Sequence, residues 1–406
     1  MTQTTAQEPN ARRSRPLIAF NGWFWGQRRT GSGQYLQQLI QALHELPAEW
    51  RIVVFVPASR TSSDIAVETV PGSITVVSLS TPFDRLNENL AKLWFEQIAV
   101  PRACRRHGAN MLHVPYWATP ARSAIPVITT VHDVIPIVLP AYRSSMRTKL
   151  YTRFVTWTMR RSTLVLADSH ASGEDIRRTV RLPARQLRVV HLAVGPQYQP
   201  VTEPSQLDAV RERYKLPERF VLYLGGFDQR KNVPLLIRAF SQVRIANQTM
   251  SNLVVAGKLP DQHSSFFPDP VGEARRAGIA DQVHFAGEIA EEDKPALYSL
   301  ATCFVFPSIY EGFGLPVLEA MACGTPVVTS RTSSLGELAG DGGILVDPDS
   351  EEQIAEALSI LTEDVLTHNE FAIRALERSR QFRWSETAHL TTQAYRDIVN
   401  AETEQN

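Results

Sequence analysis

Short aliphatic and β-branched runs alternate with longer amphipathic segments from Leu17 onward. We interpret the short runs as strands and most segments between them as helices, because buried parallel strands read as continuous apolar runs. Such alternation predicts parallel sheets with helices on both faces. The strands predicted in the first half are Leu17–Phe20, Ile52–Val56, Thr75–Val77, Met111–His113, Val127–Val131 and Leu164–Ala167.

The pattern stops at a proline-containing stretch and then restarts, which predicts a domain boundary near residue 200. A chain of 406 residues also exceeds what one core usually fills. We therefore predict two doubly wound Rossmann-like domains, residues 16–198 and 199–384, facing each other across a ligand-binding cleft. The strands predicted in the second half are Phe220–Leu224, Leu253–Ala256, Val283–Phe285, Cys303–Phe306, Pro326–Thr329 and Ile344–Val346.

The chain ends in a predicted helix with Ser385 as N-cap, running to about Asn400. From its sequence alone, this helix either completes the second domain or crosses back to the first.

Three features of the sequence predict an intracellular protein. Residues 1–15 are polar and basic, contain no secretion signal and are predicted to be a disordered tail. No run of about 18 apolar residues occurs, so no membrane-spanning helix is predicted. The three cysteines, Cys104, Cys303 and Cys323, fit neither a disulfide framework nor a zinc site. These features predict a cytoplasmic location.

The net charge of zero hides two halves of opposite sign. Residues 1–200 carry 24 Lys+Arg and 12 Asp+Glu, whereas residues 201–406 carry 18 and 30. A basic half predicts an anionic partner, which we interpret as a membrane surface or a charged substrate and not as nucleic acid.

The strongest chemical motif is Glu311-Gly312-Phe313-Gly314-Leu315, which follows a predicted strand and continues through Pro316 to Glu319. The glycines let backbone approach a ligand, and the helix predicted from this point presents free N–H groups to an anion such as a diphosphate. Glu311 and Glu319 could accept hydrogen bonds from a sugar and a ribose. The alternative is an ordinary strand–helix turn with two solvated glutamates.

A second loop of the same half supplies positive charge. Gly226 and the adjacent Arg230 and Lys231 follow the strand Phe220–Leu224. Cations at this place can neutralise the charge on a departing diphosphate without a metal ion. Taken alone, the two cations would more often be a solvated helix start.

The pair Asp347-Pro348-Asp349 matches the Asp-x-Asp pattern of metal-dependent transferases, but we reject that interpretation. The pair directly precedes a helix predicted from Glu351, where Asp is a preferred capping residue, and no other metal ligand is clustered nearby. No metal or other cofactor is predicted.

Two elements of the first half complete the predicted site. Gly31-Ser32-Gly33 follows the first strand and precedes a helix, so its amides can face a diphosphate from the opposite wall. A dinucleotide fingerprint would require glycine where Leu36 stands, which weakens a dehydrogenase interpretation. His132 and Asp133 end another strand; His132 is either a structural histidine or part of the site, and the strand-end position favours the site.

Residues 143–161 are predicted to form a basic helix with Met146, Leu150, Phe154 and Trp157 at helical spacing. Such a helix could lie on an anionic membrane or bind a pyrophosphate-linked lipid. A core-facing helix with a solvated basic face explains the same pattern.

The segment from Phe304 to Val346, with its two glutamates seven residues apart, resembles the donor half of family-four glycosyltransferases of GT-B fold, and the resemblance extends over nearly the whole chain. It implies that Glu311 contacts the donor sugar, that Glu319 holds the ribose and that Arg230 and Lys231 bind the diphosphate. It places His132 beside the transferred sugar and the last helix, about 385–402, on the first domain. It also implies a retaining, metal-independent reaction by same-face substitution, in which the leaving phosphate oxygen takes the acceptor proton.

The motifs most resemble mannosyltransferases of bacterial polysaccharide assembly. GDP-mannose is therefore the first candidate donor, ahead of other nucleotide sugars such as dTDP-rhamnose, and a glycan or lipid-linked oligosaccharide is the expected acceptor. Two other functions fit the same pattern: a GT-B sugar-nucleotide epimerase, and a non-catalytic nucleotide-binding partner of a transferase. Neither the acceptor nor the oligomeric state can be derived from the sequence.

Overall fold

The computed structural model describes residues 15–27, 30–47, 49–60, 74–143, 145–246 and 252–405. These residues form two compact units. The first contains residues 1–168, 173–190 and 384–406, and the second contains residues 169–172 and 191–383. The predicted N-terminal tail lies outside the described residues, apart from Arg15.

The first unit is built around a parallel sheet whose five inner strands are largely apolar and buried, whereas its two edge strands are mostly half-buried or exposed. Its strands are β1 (Leu17–Asn21), β2 (Arg51–Pro57), β3 (Ile74–Leu79), β4 (Met111–Val114), β5 (Val127–Val131), β6 (Leu164–Ala167) and β7 (Leu187–Val189). Its helices are α1 (Gly31–Glu45), α2 (Glu88–Trp94), α3 (Val100–Arg106), α4 (Ile135–Val138), α5 (Met146–Met159) and α6 (His170–Val180), whose first three residues group with the second unit.

The second unit repeats this plan with a second parallel sheet. Its strands are β8 (Phe220–Leu224), β9 (Asn252–Ala256), β10 (Val283–Gly287), β11 (Cys303–Phe306), β12 (Val327–Ser330) and β13 (Ile344–Val346). Its helices are α7 (Pro204–Tyr214), α8 (Val233–Ala246), α9 (Pro270–Arg276), α10 (Lys294–Leu300), α11 (Leu315–Ala322), α12 (Ser333–Ala339), α13 (Glu351–Glu363) and α14 (Val365–Ser379). The last helix of the chain, α15 (Trp384–Gln405), belongs to the first unit.

Both sheets are doubly wound. The strand orders are β3-β2-β1-β4-β5-β6-β7 and β10-β9-β8-β11-β12-β13, so the order reverses between β1 and β4 and again between β8 and β11. Ligands of such sheets bind at the carboxyl ends of the strands beside that reversal. In the second unit, the loops after β8 and β11 lie at this place.

The predicted doubly wound α/β fold is confirmed, and each predicted strand is present with ends that differ by at most a few residues. The sequence analysis missed β7. This strand has three half-buried residues with Arg188 in the middle, so it lacks the continuous apolar run that identifies the other strands.

A buried chain of polar side chains fixes α15 to the first sheet. The Tyr395 hydroxyl on α15 lies 2.6 Å from Nδ1 of His113 on β4, and Nε2 of His113 lies 2.8 Å from the Thr130 hydroxyl. The Tyr35 hydroxyl on α1 lies 2.9 Å from the same Thr130 hydroxyl. Because burial penalises the charged imidazole, the pKa of His113 falls to about 3, and the ring is neutral in this chain.

Two predicted helix caps are wrong. The last helix begins at Trp384, so Ser385 lies in its first turn, and it continues to Gln405 instead of ending near Asn400. The helix predicted from Glu351 does begin there, but Ser350 is the N-cap residue and accepts a hydrogen bond from the Gln353 N–H. Serine and aspartate are comparable caps, and Ser350 is the residue next to the first turn.

The basic helix predicted over residues 143–161 is shorter, α5, and begins after the N-cap Ser145. Three of the four apolar residues predicted at helical spacing are exposed: Met146 is 70% exposed, Leu150 60% and Trp157 45%. The helix still packs on the core, through a different face that buries Thr152, Val155, Thr158 and Met159. The core-facing interpretation therefore holds for the helix but not for the apolar residues on which it was based.

Cys104, Cys303 and Cys323 are free thiols in the two cores. Among the described helices, none is both long and apolar enough to cross a bilayer.

Candidate functional site

The centre of the candidate site is a cluster of charged side chains in the second unit. Nζ of Lys231 lies 2.7 Å from Oε1 of Glu311, and Nη1 of Arg230 contacts the same oxygen. Ser308 donates its hydroxyl to this oxygen over 2.6 Å. The structure thus brings the adjacent Arg230 and Lys231 together with Glu311, which lies 80 positions after Lys231. We predicted all three residues for one site.

Local structure after β8 positions the two cations. Residues Gln229–Lys231 form a 3-10 turn in which Asp228 accepts a hydrogen bond from the Arg230 N–H. Arg230 is only 8% exposed, and its guanidinium also donates to the Tyr310 carbonyl over 2.8 Å. Lys231 places its ammonium 4.6 Å from the centre of the Phe306 ring. Arg230 and Lys231 are therefore not a solvated helix start.

Two carboxylates face the two cations of this cluster, because Oδ1 of Asp228 also lies 3.4 Å from Nε of Arg230. Burial acts to raise the pKa of Glu311, but Lys231 and Arg230 outweigh it and hold that pKa below its usual value. Burial, with Arg230 beside it, lowers the pKa of Lys231 although Glu311 opposes this. Glu311 is the carboxylate that Arg230 and Lys231 share.

The glycine loop leads into α11 as predicted. Gly314 has a φ of +111° and is the N-cap of α11, with Pro316 in the first turn. A side chain at Gly314 would meet Leu335 at 2.6 Å, so both backbone conformation and space require glycine. The loop before it is held by serines: Ser334 donates to the Phe313 carbonyl over 2.8 Å, and Ser169 and Ser172 both donate to the Gly312 carbonyl.

Glu319 lies one turn into α11 and is 6% exposed. The Tyr298 hydroxyl donates to its Oε2 over 2.9 Å. Burial raises the pKa of Glu319, because its hydrogen bonds and the charge of Lys294 offset the loss of water only in part. Glu319 is therefore a buried acceptor of hydroxyl hydrogen bonds and not a solvated surface group.

The first unit carries its own candidate residues at the carboxyl edge of its sheet. Nδ1 of His132 lies 2.7 Å from Oδ2 of Asp168, and Nε2 lies 3.0 Å from the Pro115 carbonyl. Burial opposes the charged imidazole, but Asp168 and the other acceptors raise the pKa of His132 above its usual value. Both ring nitrogens thus have acceptors, which favours the imidazolium.

Asp168 is a residue that the sequence analysis missed. The pairing of β5 with β6 sets Val131 opposite Ala167, so the next residues, His132 and Asp168, end neighbouring strands. That strand register is the signal that could have identified Asp168. Asp133, which we predicted for the site, instead accepts a hydrogen bond from the Ile135 N–H and shapes the turn into α4.

The glycines predicted for the site, Gly31 and Gly33 in the first unit and Gly226 in the second, differ in their surroundings. A side chain at Gly33 would lie 2.2 Å from the Gln27 carbonyl oxygen, so this glycine permits close packing of α1. Gly31 and Gly226, in contrast, have no backbone neighbour that would exclude a side chain. Ser32 lies in the first turn of α1, which Thr30 caps by accepting from the Gly33 N–H.

Glu96 is a second buried carboxyl group that the sequence analysis missed. It lies in a single π-helical turn, residues Phe95–Ala99, between α2 and α3. The Tyr116 hydroxyl donates to its Oε1 over 2.9 Å, and Nζ of Lys92 is 3.9 Å away. Burial raises the pKa of Glu96 to about 7 despite the charge of Lys92. A π turn has no simple sequence signature, which is why this residue was overlooked.

The rejected Asp-x-Asp pair has a structural role. The Asp349 N–H donates to Oδ1 of Asp347 over 3.0 Å, as in an Asx turn before α13. Within the described residues, the side chains that could group around a metal ion are His170, His191 and Glu337. The Glu337 carboxylate already accepts N–H groups of His170, Ala171 and the His191 ring.

The fold, two doubly wound units with a cation-lined glycine loop at a strand reversal, is the GT-B architecture. Residues 29–198 match the model of Glycosyltransferase Family 4, and residues 208–378 match that of Glycosyl transferases group 1. The chain belongs to this family of glycosyltransferases, which confirms the resemblance derived from its motifs.

Among its relatives is the O-antigen chain mannosyltransferase B of Escherichia coli, 29% identical over 72% of this chain and 76% of the relative. The serotype-specific mannosyltransferase WbdA of Escherichia coli is 28% identical over 67% of this chain but only 34% of its own, longer sequence. The structure of HepE from Anabaena in complex with UDP has a similar fold, with a TM-score of 0.68, 20% identity and coverage of 95% of this chain and 100% of HepE.

Proposed function

We propose that this glycosyltransferase moves mannose from GDP-mannose to a glycan or lipid-linked acceptor, with retention of anomeric configuration, during polysaccharide assembly. The observation that carries the proposal is the buried cluster of Arg230, Lys231 and Glu311 at the strand reversal of the second unit. The names of the two mannosyltransferase relatives support the choice of sugar.

The cluster suits a diphosphate leaving group that needs no metal. Arg230 and Lys231 both contact Glu311, while Asp228 pairs with Arg230 alone, so a diphosphate can replace Glu311 as their shared partner and release it towards the sugar hydroxyls. Preorganised cations in a site of low dielectric stabilise negative charge where it develops, which is the role a divalent ion has in other transferases. Arg230 is held by the Tyr310 carbonyl, so it needs little reorganisation during the reaction.

Glu319, the second glutamate of the motif, would bind the nucleoside. Glu319 already accepts the Tyr298 hydroxyl, and a ribose hydroxyl has the same donor chemistry. In the first unit, the imidazolium of His132 would lie beside the transferred sugar and add positive charge as the glycosidic bond breaks. The leaving phosphate oxygen would then take the acceptor proton on the same face of the sugar.

Incubation with GDP-mannose and a mannose-terminated oligosaccharide tests this proposal. The expected product is a new α-linked mannose, detected by mass and by its anomeric proton signal. Release of a free epimerised sugar nucleotide would instead support an epimerase. Nucleotide binding without any turnover across a panel of GDP-, UDP- and dTDP-sugars would support a non-catalytic partner.

We further propose that the first unit contacts the inner face of an anionic membrane. The carrying feature is an apolar surface, defined here as the exposed Leu86, Leu90 and Leu93 at α2 with Met146, Leu150 and Trp157 of α5. Burial raises the pKa of Tyr151 on α5, and the charge of Glu96, which directly follows α2, adds to this shift. Exposed Arg147, Lys149 and Arg153 supply the charge that anionic lipid attracts.

Flotation with vesicles tests this contact. Binding should require phosphatidylglycerol, weaken with salt and fall about tenfold when Leu150 and Trp157 are both replaced by serine. The control is Val365→Ser with Leu366→Ser, which removes two apolar side chains of α14 that are even more exposed. Equal loss in the two double variants would contradict a contact through the apolar surface.

A further inference from the structure

The first unit contains an arginine-lined cavity that no step of the proposed reaction uses. It has a volume of about 810 Å³ and lies at the amino ends of β5, β6 and β7, where its lining includes Val127, Leu164 and Arg188. The candidate catalytic residues lie at the opposite edge of the same sheet. Val127 and His132 lie five residue steps apart along β5, a length of roughly 16 Å, so the cavity is distinct from the sugar site.

Four arginines from four different segments line this cavity. Arg122 comes from the loop after β4, Arg161 follows α5, Arg185 lies in the 3-10 turn before β7, and Arg188 lies in β7. Among the described lining residues, the only carboxylate is Asp397 on α15. Its Oδ2 accepts from Nη2 of Arg188 over 2.6 Å.

Arg122, Arg161 and Arg185 have no carboxylate within ion-pair distance among the described residues. Arginine stays charged at every physiological pH, so these three groups repel one another unless an anion enters the cavity. A planar guanidinium donates two parallel hydrogen bonds to a phosphate, which makes several arginines around one cavity a typical phosphate-binding arrangement. The hydroxyl groups of Ser123 and Thr163 add polar lining.

The cavity also adjoins the apolar surface of α2 and α5. The Arg161 guanidinium lies 4.1 Å from the centre of the Trp157 ring, and Trp157 belongs to that surface. A cation held over an exposed aromatic ring places a phosphate site next to side chains that can enter a lipid layer. This arrangement fits a phosphodiester headgroup better than a ligand that arrives from solution.

We propose that this cavity is a phosphate-binding site that takes the headgroup of an anionic phospholipid. That the phosphate belongs to a lipid rests on the membrane contact proposed above. The phosphate site itself does not depend on that contact or on the donor sugar. A soluble phosphate compound offers the same chemistry, so the experiment has one arm for each source.

The test compares wild type with Arg122→Ser/Arg185→Ser in the full chain. Both arginines are exposed and outside every described ion pair, so the fold should persist; an equal thermal shift with GDP checks this. The control variant is Arg105→Ser/Arg106→Ser, which removes the same charge from exposed positions of α3 in the same unit. One arm measures flotation with phosphatidylcholine vesicles with and without phosphatidylglycerol, and the other measures calorimetric binding of inorganic phosphate.

We expect the cavity variant to lose about tenfold or more in affinity for phosphatidylglycerol vesicles, and the control about threefold or less. With GDP already bound, so that the proposed diphosphate site at Arg230 and Lys231 is filled, inorganic phosphate should bind wild type and the control but not the cavity variant. Phosphate binding that depends on the cavity, together with unchanged vesicle binding, would assign the cavity to a soluble phosphate compound and overturn the lipid source. If both variants behave alike in both arms, the phosphate site itself is wrong. Absence of vesicle binding by wild type would refute the membrane contact, while the phosphate arm still tests the cavity.

Discussion

The two units each bury a glutamate, and the two carboxyl groups behave in opposite ways. Glu311 in the second unit contacts Arg230 and Lys231, and its pKa lies below the usual value. Among the described residues, the cation paired with Glu96 in the first unit is Lys92, 3.9 Å away, and burial raises the pKa of Glu96 to about 7. Burial penalises a carboxylate in both places, so neighbouring cations decide the outcome.

This difference separates a carboxylate held between cations from a carboxyl that titrates near physiological pH. In the second unit, Glu311 and Asp228 lie beside Arg230 and Lys231, which keeps Glu311 ionised. In the first unit, a pKa of about 7 leaves Glu96 about half ionised at neutral pH. The positive charge favoured in the first unit lies on His132, whose pKa Asp168 raises against the effect of burial.

The largest effect is expected from Glu311→Ala. Turnover should fall about a thousandfold, since the substitution removes the proposed contact to the donor sugar. Affinity for GDP should persist or increase, because both cations become available to the diphosphate. Steady-state kinetics and GDP calorimetry measure the two effects.

Glu319→Ala is the matched comparison within the same motif. It should weaken GDP binding about tenfold to a hundredfold, because the proposed acceptor for the ribose is lost. If Glu311→Ala weakened GDP binding and Glu319→Ala affected only turnover, the two roles would have to be exchanged.

A smaller effect is expected from Asp168→Asn. Because Asp168 raises the pKa of His132, the substitution should lower that pKa, and the alkaline limb of kcat/KM should move to lower pH. The titration of the His132 ring, followed by NMR, should move in the same direction. Asp175→Asn, at a side chain paired with Arg178 on α6, serves as control. A pH profile that is identical in wild type and Asp168→Asn would exclude the pairing as a determinant of activity.

The smallest effect concerns stability alone. Glu96 has a higher pKa in the folded chain than its ordinary value of about 4.3, so its protonated form stabilises the fold. This contribution is complete below pH of about 4.3 and is lost as the pH rises through about 7. It amounts to roughly 3–4 kcal/mol.

Glu96→Gln should therefore flatten the pH dependence of the unfolding free energy between these values. The control is Glu88→Gln at an exposed position of α2. An equal slope in wild type and Glu96→Gln, measured by chemical denaturation, would show that Glu96 is ionised in the folded chain.

The same contrast explains which parts of the molecule could be predicted from sequence. The strands were identified because parallel, doubly covered strands are continuous apolar runs, and the donor loops because their glycines and charges are contiguous. Two short motifs contain Arg230, Lys231 and Glu311. Because these motifs follow β8 and β11, where the strand order reverses, their contact could be predicted.

The remainder depends on contacts between distant segments. Asp168 and His132 meet only because β5 and β6 pair in register, and Glu96 is buried by a π turn that no local pattern marks. The arginines of the cavity come from four separated segments, which the sequence shows only as an excess of basic residues in the first half. The exposure of Met146, Leu150 and Trp157 on α5 could not be predicted from their spacing either, since an apolar face at helical spacing usually packs on a core.

The central claim is that Arg230 and Lys231, and not a divalent ion, stabilise the departing diphosphate. The most direct measurement is the initial rate of mannosyl transfer with excess EDTA for wild type, Arg230→Ala and Lys231→Ala. We predict an unchanged rate for wild type and a loss of about a hundredfold or more for each variant. A wild-type rate that vanishes with EDTA and returns with Mg²⁺ or Mn²⁺, or variants that retain full activity, would contradict the account.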